Sequence, residues 1–468
     1  YRNLGNGQFV EVAASAGVAS TGPSRAGLWF DYDGDHAMDL LVAGDCFGGA
    51  CDGEAYLTLY RQIGPAIFQD VTSAAGLPSV LDGGHFGGMC AGDVNNDGFL
   101  DFVYATWDGG ARLFQNNGDG SFSDVSASSG VANQADYWQP VMYDFDGDGW
   151  LDIYMAIDFF PNRLLINQRD GTFVDVAPAA GAANNMNDMG VTLGDYDNDQ
   201  DLDIYVTNIS DRGHNVLLRN DSVGSSLTFT EVSQAAGVDN GFWGWGTTFL
   251  DSHNDTLLDI AVTNGFRSDV EQSFVNDPSR FFLNQGGAPV TFADVSTAVK
   301  FDDTFWGSGL IALDYDRDGD LDMMQACVEG GPLRLLENSP VGVNPNGYLV
   351  IKPRMSGVNH WAIGTVVRIS VGGTSMMRLI TAGTSFMSQE PAEAFFGIGQ
   401  AGTVDTVTIE WPNGEQTNLT DVPVNQVLTV PSEPAVPAAS EWGVVLMTVL
   451  LITAGTLLFR WRRRNPVR

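Results

Sequence analysis

Regularly spaced aspartates are the residues in this sequence whose types and positions most clearly could do chemistry. In residues 144–152 they occupy positions 1, 3, 5 and 9 of a nine-residue stretch that has glycines in its middle. Hard divalent cations, calcium above all, need several oxygen ligands at about 2.3–2.6 Å, and a tight turn lets alternate carboxylates converge on one point. A single stretch of this kind is often only a solvated acidic turn. Six spaced copies predict metal-binding loops.

The six copies, called loops one to six, are residues 31–39, 93–101, 144–152, 195–203, 251–259 and 314–322. Loops one, three, four and six have aspartate at all four ligand positions. These residues are Asp31, Asp33, Asp35, Asp39, Asp144, Asp146, Asp148, Asp152, Asp195, Asp197, Asp199, Asp203, Asp314, Asp316, Asp318 and Asp322. We expect calcium in each of these four loops, because carboxylates ~5 Å apart repel by about 3 kcal/mol per pair at an effective dielectric constant near 20.

Loops two and five differ from this set at position 3. The candidate ligands of loop two are Asp93, Asn95, Asp97 and Asp101, and the weak candidates of loop five are Asp251, Asp255 and Asp259. The amide oxygen of Asn95 is neutral, so loop two should bind calcium more weakly. Loop five has His253 at position 3, and imidazole is a poor ligand for a hard ion. We therefore expect about five calcium sites and a degenerate sixth that stays empty.

The residues after each loop indicate strands rather than helices. An EF-hand needs glutamate at position 12 and a helix behind it. Position 12 is Val42, Tyr104, Met155, Val206, Val262 or Gln325. Apolar, β-branched runs such as residues 152–157 follow instead and predict strands. The 56 glycines and short apolar runs also favour an all-β architecture.

A four-strand unit repeats along most of the chain, because loop starts are 51 to 63 residues apart. Each unit has a run entering the loop, a run leaving it, a run ending near asparagine and a Phe-x-Asp/Glu-Val run. Such repeats predict the blades of a β-propeller. Loop six lacks the last run, and residues 1–12 could supply it, which would close a ring of six. The chain begins at Tyr1 in the middle of a repeat, so we expect a processed chain or a fragment, and we favour seven blades in the parent.

The repeats resemble FG-GAP/VCBS repeats, the propeller unit of integrin α chains, and residues 86–93 (FGGMCAGD) come near the motif that names them. The resemblance covers residues 1–340. A Pro/Gly/Asn linker follows at 341–347. Residues 348–430 alternate as short β segments and resemble the ASPIC/UnbV domain of the cartilage acidic protein family. The motifs that carry this likeness are at 362–364, 383–389, 396–399 and 411–414. The resemblance implies association with extracellular propellers and assigns no chemistry.

The C-terminus has the layout of a membrane segment. A Pro/Ala linker at 431–440 precedes residues 441–468, in which 17 uncharged residues run from Gly443 to Phe459 before an arginine cluster. This length is at the lower limit for a transmembrane helix, and the arginines place the propeller on the outer side of the membrane. The layout resembles a bacterial IPTL/PEP-type sorting signal, which implies a membrane sortase as a partner. The complete fold prediction is an all-β, six- or seven-bladed β-propeller, a small β domain and one C-terminal transmembrane helix.

The net charge argues against one class of partner, and the four cysteines suggest at most one disulfide bridge. The formal net charge is −36, and 24 of the 58 acidic residues lie in the six loops. Such a surface repels phosphates, so we expect no nucleic-acid partner. Cys46 and Cys51 are close enough to bridge in an exported chain, although two free thiols are the alternative. Cys90 and Cys327 lie in different repeats and suggest no pairing.

Aromatic residues near the strands that enter the loops are the remaining candidates for function. They are Phe86, Trp138, Trp243, Trp245, Phe305 and Trp306. We favour packing between blades for most of them, with the exposed minority as contacts for a ligand. Because no GxSxG, HExxH or P-loop motif occurs, we expect no enzyme. The sequence favours an exported surface protein that binds an extracellular protein or glycan, and a carbohydrate-active or redox enzyme is the alternative.

Overall fold

The regular secondary structure of the described residues is almost entirely β-strand, which confirms the all-β prediction. The computed structural model describes residues 1–20, 22, 24–45, 55–81, 85–209, 214–266, 272–328, 331–339 and 344–432. Within these residues the helices are short: α1 (Ala13–Ala16), α2 (Ser126–Ser129), α3 (Ala177–Ala180) and α4 (Ser233–Ala236), with one 3-10 turn at Gln272–Phe274. The proposed Cys46–Cys51 bridge and the apolar segment 441–468 lie outside the described residues. Within the part that the structure describes, no helix is long and apolar enough to cross a membrane.

Six antiparallel sheets, numbered like their loops, follow one another along the chain. Sheet one contains β3 (Ser24–Phe30), β4 (Asp39–Gly44), β5 (Ala55–Gly64), β6 (Ile67–Asp70) and the short β7 (Val80–Leu81), which pairs with β5. Sheet two contains β8 (Phe86–Gly92), β9 (Asp101–Thr106), β10 (Gly110–Asn116) and β11 (Phe122–Asp124). Sheet three contains β12 (Asp136–Tyr143), β13 (Asp152–Asp158), β14 (Arg163–Asn167) and β15 (Phe173–Asp175).

The remaining three sheets repeat this order. Sheet four contains β16 (Asp188–Gly194), β17 (Asp203–Asn208), β18 (Val216–Asn220) and β19 (Phe229–Glu231). Sheet five contains β20 (Gly244–Leu250), β21 (Asp259–Asn264), β22 (Arg280–Asn284) and β23 (Phe292–Asp294). Sheet six has three strands, β24 (Gly307–Leu313), β25 (Asp322–Cys327) and β26 (Leu333–Leu336).

The first strand of each sheet contacts the first strand of the next, from β3 through β8, β12, β16, β20 and β24. The second strands are covered on both faces by neighbouring sheets, and every residue of β9, β13, β17 and β21 is buried. Double-sided burial explains why these strands are continuous apolar runs rather than alternating ones. The core therefore lies between the sheets.

The N-terminal hairpin of β1 (Arg2–Asn3) and β2 (Phe9–Val10) forms its own sheet. Among the described strands, neither member pairs with β26, so the strand pairing that would close a ring of six is not observed. Instead, Asn3 Nδ2 donates to the Tyr315 carbonyl at position 2 of loop six (2.9 Å). Asn116 Nδ2 of sheet two makes the same bond to the Tyr32 carbonyl of loop one (2.8 Å). The hairpin thus lies beside sheet six as sheet two lies beside sheet one.

Residues 347–432 form a two-layer β sandwich, called the C-terminal sandwich. Its strands are β27 (Gly347–Arg354), β28 (Val366–Val371), β29 (Thr374–Leu379), β30 (Ala394–Gly399), β31 (Thr403–Glu410), β32 (Gln416–Pro423) and β33 (Gln426–Pro431). One layer has the order β30-β27-β33 and the other β29-β28-β31-β32. Alternating apolar residues such as Leu349, Ile351, Val367 and Ile369 fill the space between the layers.

Residues 380–393, which connect β29 to β30, leave the sandwich and run between the inner strands of the six sheets. This axial segment is buried throughout 382–387. It hydrogen-bonds to the first strand of every sheet. The partners are Trp29 (2.7 and 2.9 Å), Ala91 (2.9 Å), Gln139 (2.8 Å), Val191 (2.7 Å), Thr247 (3.0 Å) and Ala312 (3.4 Å). The space on the axis of the six sheets is therefore filled by the chain itself.

Candidate metal centres

Each acidic loop connects the first two strands of its sheet, and its outer ligand positions are set by the strand ends. Asp144 directly follows β12, and Asp152 is the first residue of β13; the other five loops have the same arrangement. Because the six sheets follow one another in the same orientation, the loops lie at one common edge, the loop face. The strand boundaries thus place each position 1 next to its position 9.

The loop backbone turns through two left-handed residues, at positions 4 and 6, in all six copies. Loop three has glycine at both positions, where a left-handed φ causes no strain. Loop four has Asn198 (φ 62°) and Gln200 (φ 76°), and loop five has the β-branched Thr256 (φ 81°) at position 6. Such conformations cost about 1–3 kcal/mol for residues other than glycine, so other contacts must hold the turn.

The aspartates at positions 1 and 9 supply those contacts. In loop three, Asp144 accepts hydrogen bonds from the backbone N–H groups of Asp148 (3.0 Å) and Gly149 (2.8 Å). Asp152 accepts from the N–H of Phe145 (2.9 Å) and from the N–H of Asn167 (2.8 Å). The position 9 carboxylate therefore joins the loop to the third strand of the same sheet.

The recurrent asparagine at the end of the third strand also links neighbouring sheets, a role that the sequence analysis missed. Asn167 Nδ2 donates to the Val94 carbonyl of loop two (2.8 Å), and Asn284 Nδ2 donates to the Tyr196 carbonyl of loop four (3.0 Å). Asn338 reaches Ser252 of loop five in the same way (2.8 Å). The recurrence of asparagine at this position was the signal that could have revealed the link.

Four loops bring three carboxylates together, with one oxygen from each within 4.8 Å of the others. The four sets are Asp31, Asp33 and Asp39; Asp144, Asp146 and Asp152; Asp195, Asp197 and Asp199; Asp314, Asp316 and Asp322. They belong to loops one, three, four and six, the loops with four aspartates. In loop four the cluster takes position 5 rather than position 9. Three converging carboxylates are a donor set that suits calcium.

Unpartnered oxygens in loops four and six support the fit of a cation. Among the described residues, Asp195 Oδ2, Asp197 Oδ1 and Asp314 Oδ1 are buried without a hydrogen-bond donor. The side chains of Asp195 and Asp314 are only 0% and 4% exposed. A buried carboxylate oxygen without a partner is costly, and a divalent cation would supply the missing interaction. These residues would hold the ion, whose role there is to neutralise the loop.

Loops two and five have no such three-carboxylate cluster among the described residues. Asn95 Nδ2 of loop two donates to Asp97 Oδ2 (2.8 Å). In loop five, the Ser252 hydroxyl donates to Asp259 Oδ2 (2.5 Å), and the ring of His253 contacts that hydroxyl through Nδ1 (2.8 Å). The oxygens of Asp251 accept from the N–H groups of positions 5 and 6 (2.9 and 2.8 Å). Loop five thus satisfies its own carboxylates.

Burial opposes ionisation of the loop carboxylates. It raises the pKa of Asp152 to about 8 and that of Asp195 to about 7, and neighbouring aspartates add to both shifts. The pKa of Asp39 is likewise raised to about 7, mainly by burial. The pKa of Asp203 is raised well above its usual value for the same reason. A bound divalent cation would favour the ionised forms.

Arginines from outside the loops reach four of the six. The Arg61 guanidinium pairs with Asp33 (2.6 Å) and Asp35 (3.0 Å) in loop one, and Arg169 pairs with Asp148 (2.6 Å) in loop three. Arg378 of the C-terminal sandwich lowers the pKa of both Asp195 and Asp251 by its charge, although burial outweighs it. These arginines offset part of the negative charge without completing a ligand set.

The candidate aromatic residues lie at the ends of the first strands opposite the loops. Phe86, Trp138 and Trp245 are buried (0%, 4% and 6% exposed), and the last two contact Phe386 of the axial segment with ring centroids 5.5 and 5.0 Å apart. Trp243 and Trp306 are half-buried, and Phe305 is 43% exposed. Most of the set is therefore buried or half-buried, but Trp138 and Trp245 pack against the axial segment, whereas we predicted packing between blades.

Comparisons with known proteins agree with this architecture. The FG-GAP-like repeat model matches residues 93–155 and 158–206, and the ASPIC and UnbV model matches residues 355–437. The chain carries FG-GAP-like repeats and an ASPIC and UnbV domain. The resemblances to FG-GAP repeats, within residues 93–206, and to the ASPIC/UnbV domain are thereby confirmed. The FG-GAP-like match contains loops two, three and four, and the ASPIC and UnbV match contains the axial segment.

Curated relatives extend the likeness over most of the chain. Cartilage acidic protein 1 of Homo sapiens is 25% identical over 435 residues, which is 90% of this chain and 55% of that protein. Cartilage acidic protein 1 of Mus musculus is 24% identical over 437 residues, 90% of this chain and 56% of the mouse protein. The chain spans about half the length of the curated relatives it matches.

Solved structures give weaker likenesses. The rhamnogalacturonan lyase YesX is 12% identical with a TM-score of 0.34, covering 87% of this chain and 73% of the lyase. BBS1N in complex with ARL6DN is 12% identical with a TM-score of 0.41, covering 77% of this chain and 94% of that one. TM-scores this low support no inference about activity or partners.

Proposed function

We propose that this protein is an exported, calcium-stabilised β-propeller that binds an extracellular protein or glycan through the face opposite its acidic loops. The observation that carries this proposal is the position of the C-terminal sandwich. The sandwich lies on the loop face, where His360 stacks on His36 (4.4 Å between ring centroids) and Glu393 pairs with Arg317 (2.7 Å). The opposite face then remains for a ligand.

Exposed aromatic rings on that opposite face favour binding. Phe305 precedes β24 and is 43% exposed, and Phe160 follows β13 and is 47% exposed. Trp306, the next residue, is half-buried and contacts Trp245 (6.2 Å between ring centroids). Aromatic rings contribute large contact areas with sugars or apolar side chains and are common at binding surfaces. Phe305 and Phe160 are therefore better candidate contacts than the Trp243 ring, which stacks on Phe266 (3.9 Å between centroids).

Glycan and protein arrays, each probed with and without calcium, would test this function. Ligands found on the arrays should bind Phe305→Ala and Phe160→Ala at least about fivefold more weakly, because hot-spot truncations cost more than about 1 kcal/mol. The melting temperature should stay unchanged, since both rings are already half exposed. Ile63→Ala is the matched control, because Ile63 is 56% exposed in β5 of sheet one, near the loop face. Equal binding by all three variants would contradict the proposed face.

We also propose that the six sheets belong to a seven-position ring. In sheets two, three, five and six, an asparagine at or after the third strand hydrogen-bonds to the loop of the preceding sheet. Asn3 of the N-terminal hairpin makes the same bond to loop six, so the hairpin would occupy the position of the outer strands of a seventh sheet. Phe9 stacks on Tyr315 beside this bond (6.3 Å between centroids). A crystal structure that places the hairpin between sheets six and one would support this arrangement, and one that pairs β2 with β26 would contradict it.

Anchoring through residues 441–468 and cleavage by a membrane sortase remain part of the proposal. The 17-residue apolar run is short for a membrane span, and the arginine cluster follows it immediately. We expect the mature surface protein to end near Ser440, as measured by mass spectrometry of surface-extracted material. Recovery of an intact Arg468 terminus would contradict processing and leave simple anchoring as the alternative.

A further inference from the structure

The C-terminal sandwich contacts the loops at their left-handed backbone positions. At position 6, Gln200 of loop four accepts a hydrogen bond from Arg368 Nη1 through its carbonyl (2.6 Å). At position 4, the Asn254 carbonyl of loop five accepts from the Gly399 N–H (2.7 Å). The other contacts of this kind are His36 with His360, Gly98 with Val358, Arg317 with Glu393 and Gly319 with Tyr348. The sandwich therefore contacts loops one, two, four, five and six at residues whose backbone is left-handed.

Neighbouring loops are also joined through these positions. The side chain of Asn198 donates to the Thr256 carbonyl (3.0 Å), which connects position 4 of loop four to position 6 of loop five. Asn254 makes the equivalent bond to the Gly319 carbonyl of loop six (2.9 Å). A change in one loop therefore acts directly on the next loop and on the sandwich above it.

The same left-handed conformation occurs in the four loops whose carboxylates converge. In loop four, the turn through Asn198 and Gln200 places Asp195, Asp197 and Asp199 within 4.8 Å, with two buried oxygens lacking any donor among the described residues. A cation bound there would draw the carboxylates inward and hold the turn. Metal binding and sandwich docking thus need one and the same backbone conformation.

We propose that metal binding in the loops and docking of the C-terminal sandwich are thermodynamically linked, so that each strengthens the other. The proposal rests on the calcium occupancy proposed above. Linkage requires the effect to be reciprocal: a docked sandwich raises metal affinity, and bound metal stabilises docking. The axial segment is continuous with β29 and β30 of the sandwich, and we expect it to leave the axis when the sandwich undocks. Metal in the loops therefore also keeps the axial segment in place.

Glu393→Gln tests the linkage without touching a metal ligand. Glu393 pairs with Arg317 at position 4 of loop six and with Lys352 of the sandwich (2.8 Å), so the change weakens the contact between loop six and the sandwich and removes no candidate ligand. We expect its calcium affinity, measured by isothermal titration calorimetry on the full chain, to fall about fivefold, the lower end of typical coupling factors. Glu415→Gln is the matched control, since the exposed Glu415 bonds only within its own turn, and it should bind calcium as the wild type does.

Hydrogen–deuterium exchange provides the reciprocal measurement. The N–H groups of Ser385 and Met387 donate to Val191 and Gln139, so peptides covering 380–393 should be protected in calcium. They should lose protection on chelation before peptides of β28 and β31 inside the sandwich do. If Glu393→Gln does not fold, His360→Ala takes its place in both measurements. That change removes the ring that stacks on His36 and so weakens the contact between the sandwich and loop one.

The possible outcomes separate the two proposals. Calcium binding that is equally tight in Glu393→Gln and in the wild type would overturn the linkage and leave calcium binding intact. Simultaneous loss of protection in the axial segment and the sandwich would also overturn it, because that pattern is global unfolding. A wild-type chain that binds no calcium at all would contradict the proposed function itself.

Discussion

Loops four and five lie next to each other, have the same length and turn through the same two left-handed positions, but their carboxylates have different partners. In loop four, buried oxygens of Asp195 and Asp197 have no donor among the described residues. In loop five, Ser252 and backbone N–H groups satisfy Asp259 and Asp251. The backbone conformation therefore does not require a cation. Loop five also lacks a carboxylate at position 3, where it has His253, so it forms no three-carboxylate cluster among the described residues.

The largest expected effect is that of removing the metal altogether. Chelation of the wild-type protein should lower its melting temperature by roughly 10 °C or more, because several sites each contribute about 3 kcal/mol at saturating calcium. Calcium should restore the transition better than magnesium, which demands tighter octahedral geometry. Differential scanning calorimetry measures both effects. If the chelator leaves the melting temperature unchanged, none of the six loops depends on calcium for its stability, which we expect only of loop five.

Single ligand deletions should separate the two loops. Asp197→Ala removes a clustered ligand from loop four and should destabilise the calcium-loaded protein by about 3 kcal/mol, the contribution of one site filled at 100 times its dissociation constant. Asp255→Ala in loop five should cost less than about 1 kcal/mol. Asp146→Ala in loop three should resemble Asp197→Ala. Denaturant unfolding in calcium measures these differences, and equal losses in loops four and five would remove the distinction.

A substitution that creates a calcium site in loop five tests the same comparison in the opposite direction. His253→Asp places a carboxylate at position 3 of loop five, beside Asp251 and Asp259. We expect one additional bound calcium ion and a melting temperature that becomes more dependent on calcium. Native mass spectrometry counts the ions, and His214→Asp, on a half-exposed histidine outside the loops, is the control. An unchanged ion count would show that position 3 alone does not explain why loop five needs no metal.

A small effect is also expected at the Ser252 hydroxyl, which donates to Asp259 in loop five. Ser252→Ala removes the donor to Asp259 and should cost about 1 kcal/mol, the value of one buried hydrogen bond. The loss should be the same with calcium and with chelator, because no metal is involved. Unfolding measured in both conditions tests this independence. A loss seen only in calcium would indicate that loop five does hold an ion.

The sequence alone predicted the repeated parts of this molecule well. The all-β class, the strands after each loop and the two domain resemblances followed from spacing and from motifs such as residues 383–389. Chemical identity also separated His253 and Asn95 from the aspartates at position 3, and the three-carboxylate clusters occur in the other four loops. These features are local, so a window of a dozen residues contains the information needed.

Long-range contacts could not be predicted in the same way. Residues 380–393 are mostly uncharged and form an unusually long connection between two strands. No local sequence pattern indicates that they lie on the axis of the six sheets. The role of Asn167 was missed for the same reason, since its partner Val94 is 73 positions away in the chain. The contact between Glu393 and Arg317, 76 positions apart, is likewise a property of the assembled molecule.

Anomalous diffraction from crystals grown in calcium tests the central claim most directly, because it locates each ion. We predict peaks between the carboxylates of loops one, three, four and six, a weaker peak in loop two and none in loop five. A peak at Asp251 and Asp259 as strong as the one at Asp195 and Asp197, or no peak in loop four, would contradict the account.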